Sequence, residues 1–270
     1  MNIDTRSKYL PLPKSYKGMY PFKLGTTSYI YPDHIYPNVK MLAPYLDEIE
    51  LILFESTPPD NLPSADEVNK LSRIAKDQDL TYNVHLPFDL SLGKRDSNHE
   101  NNWVKTMKQI IGLTAPLIPS TYTLHLDFPE ASTAKGNMQT WQEIAYGQVA
   151  RLISTGIEAP FLSIETLGYP FEWIEDIIIA LNLSVCLDFG HLIAKKIDYG
   201  ALFRRHFKRT AIIHLHGVEA GRDHLSLDRL PRKDIVPIMG ILKEYRKVVS
   251  IEVFSFENLS RSLAFLEKYF

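Results

Sequence analysis

Apolar runs in this sequence repeatedly end in histidines or acids. His85 lies near the end of LTYNVHL (80–86), His125 near the end of TYTLHLD (121–127), and Glu165 closes FLSIE (161–165). Asp188 closes SVCLD (184–188), with His191 three residues on. AIIHLH (211–216) delivers both His214 and His216, His224 follows beside Asp223, and Glu252 sits in VVSIEVF (248–254). Each residue alone has a plainer reading. A single histidine in an apolar run is more often a hydrogen-bonded core residue, and Glu165 or Glu252 alone can be an interior ion-pair partner. Burying many such groups side by side is costly without compensation, and a divalent cation is the ordinary compensation. Imidazole with carboxylate is the donor set of zinc, manganese and iron, and cobalt accepts it too.

Something must bring these residues to one place. KLGTTSY (23–29) and EIELILF (48–54) complete a set of eight strand-like runs. Helix-like stretches lie near 35–46, 64–78, 98–115, 137–156, 170–182, 198–207, 233–246 and 257–270. Ser64 with Glu67 forms a capping box, Ser255 is an N-cap candidate, and Leu259, Leu263 and Leu266 make an inward helical stripe. Strands and helices in alternation, in a chain of 270 residues, predict one α/β domain, a (β/α)8 TIM barrel spanning 23–270. An open doubly wound sheet is the alternative, weakened because no glycine-rich phosphate fingerprint follows the first strand. Residues 1–22, rich in Pro, Lys and Tyr and without a period, are expected to form a short N-terminal arm.

In such a barrel the carboxyl ends of all strands open on one face, where active sites sit. Parity sharpens the point, because side chains two apart on a strand share a face. Two residues before the candidates stand Asn83, Thr123, Ser163, Cys186, Ile212 and Ser250, a mostly small or polar set. The alternate positions are Val84, Leu124, Ile164, Leu187, Ile213 and Ile251, all aliphatic as helix-covered positions should be. The candidates are therefore expected to point inward.

Composition bounds the rest. Net charge of −2 offers no electrostatic footprint for nucleic acid. The lone Cys186 permits no internal disulfide and no Cys-rich zinc motif, and is expected to be a buried inert thiol. No apolar stretch approaches the ~20 residues of a membrane span and the N-terminus lacks a secretion signal, so a cytoplasmic protein is expected. His34, His99 and His206 are read as surface residues, and Trp103, Trp141 and Trp173 as packing. Glu55 either joins the rim or faces water, and Arg222 either holds a substrate anion or is a solvated loop charge.

VHLP with His85, LHLD with His125, SIETL with Glu165, CLDFGH with Asp188 and His191, IHLHG with His214 and IEVF with Glu252 resemble the xylose-isomerase-like, endonuclease-IV-like superfamily of metal-dependent barrels. PFKLGTTSYIYP (21–32), NVHLPFDL (83–90), HLHGVEAGRDHLSL (214–227) and IEVFSFENLSRSL (251–263) are similar to one family within it, the cobamide-remodelling phosphodiesterases. The resemblance implies that His85, His125, Glu165, Asp188, His191, His214, His224 and Glu252 bind metal, most readily zinc, with two or more ions. Arg222 stands where the endonuclease branch has a ligating aspartate, which leaves a third ion in question. The implied substrate is a corrinoid: the phosphoester of a cobamide's nucleotide loop is hydrolysed to a cobinamide and a nucleotide of the α-ribazole phosphate type. In that chemistry metal-bound water has its pKa lowered to about 7. Glu165 would bridge ions or orient water, while His216, Arg222 and Glu55 would contact substrate or, for the first two, protonate the leaving oxygen. A rival reading is a sugar or inosose isomerase/epimerase, with one metal on Glu165, Asp188, His214 and Glu252 and a proton shuttled by the two glutamates. A second is a corrinoid-binding metallo-barrel without catalysis.

Overall fold

Parallel strands covered on both faces read as near-continuous apolar runs, and here those runs close into a cylinder. The computed structural model describes residues 9–57, 62–90, 92, 102–128 and 135–270. The order is β1 (Lys23–Thr27), α1 (Ile35–Leu42), β2 (Glu48–Ile52), α2 (Ala65–Gln78), β3 (Thr81–His85), α3 (Asn102–Thr114), β4 (Tyr122–Leu124) and α4 (Lys135–Ser154). Then come β5 (Leu162–Glu165), α5 (Glu172–Ala180), β6 (Ser184–Asp188), α6 (Phe189–Ala194), α7 (Tyr199–His206) and β7 (Thr210–Leu215). The chain ends through β8 (Gly217–Glu219), β9 (Arg222–Leu225), α8 (Arg232–Glu244), β10 (Val248–Ile251) and α9 (Phe256–Leu266). Strands β1 to β7 follow in sequence around the barrel, and β10 closes it between β7 and β1 with parallel pairing throughout. The (β/α)8 TIM barrel expected from the sequence is the fold.

Parity works as the sequence suggests. Val84, Leu124, Ile164, Leu187, Ile213 and Ile251 are buried in one large core with the helix residues Leu259, Leu263 and Leu266. Inside the cylinder, Cys186, Ile212 and Val248 form a separate small apolar cluster. The remaining interior is polar, with Asn83, Thr123, Ser163 and Ser250 fully buried. Near the amino end of the barrel, Glu48 accepts from Thr81 Oγ1 (2.6 Å), Ser120 Oγ (2.6 Å) and Asn83 Nδ2 (3.0 Å). Burial pushes this carboxyl above its ordinary range, and those donors oppose the shift.

Two helix starts read from the sequence are present as capped turns. Ser64 and Glu67 form the reciprocal capping box of α2, and Ser255 Oγ accepts from the N–H of Asn258 at the start of α9. Strands β1, β2, β4 and β10 end two or three residues before their apolar runs do, and those last residues turn onto the rim. Two elements fall where the sequence suggests only loop. Helix α6 is a short turn capped by Asp188, and β8 with β9 form a hairpin around Ala220 and Gly221, both at positive φ (53° and 77°). Two positive φ values at the centre of a two-residue loop mark a type I′ turn, whose twist suits a hairpin. The described part of residues 1–22 packs on the barrel through Leu12, Tyr16, Tyr20 and Phe22. The N–H of Tyr16 donates to Tyr45 O at 2.8 Å.

Candidate metal centre

Strand ends β3 to β7, the residue after β10 and the β8–β9 hairpin converge their imidazoles and carboxylates on one rim. Among the described residues four sets of donor atoms lie close enough to hold an ion, one of which, Glu165 with Cys186 and His214, overlaps the second set below. The first is His85, His125 and Glu165. Glu165 Oε2 stands 3.1 Å from His85 Nε2 and 3.0 Å from His125 Nε2. His85 Nδ1 lies 3.0 Å from Leu86 O, a contact in which the nitrogen must donate. That bond places the lone pair of a neutral ring on Nε2, aimed at a carboxylate. Two acceptors face each other, so a proton or a cation has to lie between them.

The second set is Glu165, Asp188, His214 and Glu252, all buried. His214 Nδ1 is 3.1 Å from Glu252 Oε2 and 3.8 Å from Glu165 Oε2, while its Nε2 is 2.8 Å from Glu50 Oε1. These are charge contacts without hydrogen-bond alignment. Both His214 nitrogens, Glu252 Oε2, Glu50 Oε1 and His191 Nδ1 are buried without a hydrogen-bond partner. A buried polar atom left in that state costs about 1–3 kcal/mol, so the arrangement fits a site completed by a bound cation. Burial pushes Glu165 up, but His125 and His214 outweigh it and hold the carboxyl well below its usual range. Glu252 is also lowered, by His214 against the effect of burial. Burial pulls His214 down, and the surrounding acids and Cys186 carry it well above an ordinary histidine.

The third set is His191, His216 and His224. Asp188 caps α6 by accepting the N–H of His191 at 2.7 Å, which turns the His191 ring inward, where Nδ1 lies 3.1 Å from Asp188 Oδ2. Burial lowers the His191 pKa, but Asp188 and Glu165 push it up to about 10. His224 sits at φ 50°, a left-handed conformation that is strained for its side chain, and stacks on His216 at 4.3 Å. Its Nδ1 donates to Glu252 O at 3.2 Å, leaving Nε2 with the lone pair.

His216 differs from both neighbours. Its Nδ1 lies 2.9 Å from the N–H of His224 and 3.3 Å from Gly217 O, while Nε2 stands 3.1 Å from Asp188 Oδ1. These contacts tie the ring to Asp188 and to the hairpin. His216 is also fully buried. His216 is expected from the sequence to contact substrate or protonate a leaving group, and the structure places its buried ring beside Asp188 and His224.

Arg222 is exposed on β9, across the hairpin from Glu219. Glu55 is exposed on the loop after β2 and is not brought into the donor sets. His34 is exposed, and His99 lies outside the described residues. His206 is not a surface residue. It is buried on α7, with Nε2 3.0 Å from Glu175 Oε1 and its ring against Phe171. Trp103 and Trp141 are buried, as packing requires, and Trp173 packs against the core. Cys186 is a buried free thiol whose pKa burial drives well upward. The sequence reading missed Glu50, which accepts from Ser250 Oγ at 2.6 Å and faces His214 from below. Its signal was present: EIELI places acids at two of the three inner-facing positions of a doubly covered strand.

The decisive comparison is by sequence, where residues 46–269 match the xylose isomerase-like TIM barrel family. The chain belongs to that family. No curated protein matches it in sequence. Among solved structures, a D-tagatose 3-epimerase-like protein is similar at TM-score 0.75 and 17% identity, over 92% of this chain and 96% of that one. Endonuclease IV from Thermus thermophilus is similar at TM-score 0.67 and 16% identity, over 92% and 98%. The 3-keto-D-glucoside 4-epimerase of E. coli follows at TM-score 0.69 and 12% identity, over 92% and 99%. At these identities the likeness establishes the shared xylose isomerase-like barrel. None of the described helices is long and apolar enough to cross a membrane.

Proposed function

We propose that the protein is a divalent-cation-dependent phosphodiester hydrolase, and that its substrate is the nucleotide-loop phosphoester of a cobamide. The observation that carries the reaction class is Glu165. Its carboxylate belongs both to the set with His85 and His125 and to the set with Asp188, His214 and Glu252. A carboxylate shared between two donor sets suits a pair of ions, whereas the single-metal epimerase reading uses only one of those sets. Two divalent cations held there would supply Lewis-acid polarisation of the phosphoryl oxygens and activation of water.

The chain's own residues have separate tasks in this reading. Glu165 joins the two sets and orients the attacking water. Glu50, under His214, fixes that ring, and His216 fixes Asp188. Arg222, exposed on the hairpin, is the available cation for a substrate phosphate. The corrinoid assignment is supported by the similarity of PFKLGTTSYIYP, NVHLPFDL, CLDFGHL, HLHGVEAGRDHLSL and IEVFSFENLSRSL to the cobamide-remodelling phosphodiesterases.

Sugar epimerisation is the second reading, favoured by the meeting of Glu165 and Glu252 in one donor set, a pair able to serve opposite faces of a substrate. Mass spectrometry after incubating metal-loaded protein with coenzyme B12 separates the readings. Release of a cobinamide and an α-ribazole phosphate, greatly slowed in Glu165→Gln, is expected. Bound but uncleaved corrinoid, or deuterium exchange into a ketose in heavy water, would overturn the proposal.

A further inference from the structure

The rim has an aromatic half that the metal chemistry does not use. Tyr29, Phe54, Phe88 and Phe254 follow β1, β2, β3 and β10, four neighbouring strands. Tyr29 meets Phe54 at 4.9 Å, and Phe54 meets Phe88 at 6.2 Å and Phe254 at 6.0 Å. This wall touches the candidate ligands at both ends. Phe88 stacks on His125 at 5.3 Å, and Phe254 meets His224 edge-on at 5.1 Å.

Behind Phe54 and Phe254 lies a cavity of about 800 Å³. Its far side is a column of rings, Tyr9 on Tyr31 at 4.8 Å and Tyr31 on Phe256 at 5.6 Å. The polar atoms of that column are already engaged: Tyr31 Oη donates to Leu10 O, Tyr9 Oη to Asp33, and Ser255 Oγ accepts from Asn258 N–H. Asp33 is the only charged residue among the described residues lining the cavity, which disfavours an anion there. A polyol would find few free hydrogen-bond partners, whereas a flat neutral ring would find π-faces.

We infer that this cavity binds the planar, uncharged aromatic heterocycle of the substrate, of the benzimidazole class, while the phosphate lies at the histidine and carboxylate half. The inference rests on the phosphodiester reading for the phosphate, but the cavity can be tested without turnover. Benzimidazole is titrated into the metal-loaded protein and followed by saturation-transfer NMR and calorimetry, with D-fructose as the competing probe. Wild type is expected to bind benzimidazole in preference to fructose, and Phe54→Ser and Phe254→Ser to bind it about tenfold more weakly. Circular dichroism checks the fold of both variants. If either fails to fold, Tyr9→Ser, on the outer wall, is expected to give the same loss. Preferential fructose binding, no benzimidazole binding, or equal binding by folded variants would overturn the inference. Benzimidazole binding without cobamide cleavage would remove the proposed reaction and leave the cavity assignment standing. Cleavage without benzimidazole binding would do the reverse.

Discussion

His214 Nε2 stands 2.8 Å from Glu50 Oε1 in the barrel interior, while Nδ1 of the same ring faces Glu252 Oε2 at 3.1 Å. One acid supports the ring from below and leaves the other nitrogen for the rim. Outer carboxylates of this kind orient a metal-ligating imidazole, and their loss commonly costs about 10–100-fold in affinity. Glu50→Gln is therefore expected to weaken the tightest cation by roughly that factor without changing how many ions bind. Calorimetric titration of zinc into apoprotein reads both quantities, and an unchanged affinity would remove Glu50 from the account.

His216 is held against the N-terminal turn of α6 by a glycine. A Cβ built on Gly190 would fall 2.0 Å from His216 Cε1. Gly190→Ala must displace the ring, and with it the bond that ties His224 to His216. Overpacking of this kind costs about 1–3 kcal/mol. The expected outcome is a lower melting temperature together with a weakened cation site at Asp188, read by thermal unfolding with and without zinc. A variant with wild-type stability and zinc response would contradict the packing described.

Much of this was legible in the sequence because a parallel barrel imposes a strict alternation. The aliphatic outer positions such as Val84 and Ile213 gave the strand faces, and the strand-end histidines and acids then had one place to go. Glu50 was missed because an acid in a strand interior reads as an edge or solvent feature until both faces are known to be covered. His206 was misread although Tyr199, Leu202, Phe203 and His206 share one buried helical stripe. The hairpin carrying His224 escaped notice because Ala220-Gly221 is a weak turn signal, since positive φ strains alanine where asparagine or glycine would adopt it freely. The aromatic half of the rim could not be seen at all, since Tyr29, Phe54, Phe88 and Phe254 are far apart in sequence and meet only through strand order.

Cation binding should expel protons. His191 is pushed up to about 10, and His85 and His214 are also raised, so near neutral pH the cation-free cluster carries its protons on imidazoles. Ions must displace them, and zinc affinity is expected to rise as pH climbs from about 6.5 towards 10. Calorimetry in buffers of different ionisation enthalpy measures the protons released. A pH-independent affinity with no release would contradict the assignment.

His206 gives a stability prediction away from the centre. Burial lowers its pKa below the ordinary value near 6.5, against the opposing pull of Glu175. A histidine with a depressed folded-state pKa binds its proton more readily in the unfolded chain. Its contribution is therefore complete above about pH 6.5 and is lost as pH falls below it. The stability difference between wild type and His206→Gln is expected to shrink between pH 7 and pH 5, measured by urea unfolding. A difference that grows on acidification would reverse the sign and refute it.

The shared carboxylate of Glu165 is the hinge of the proposed chemistry, and counting ions tests it most directly. Plasma mass spectrometry of the purified protein, saturated with zinc and then desalted, is expected to give at least two ions per chain, with Glu165→Gln losing more than one. A single ion at saturation, retained in that variant, would contradict the account.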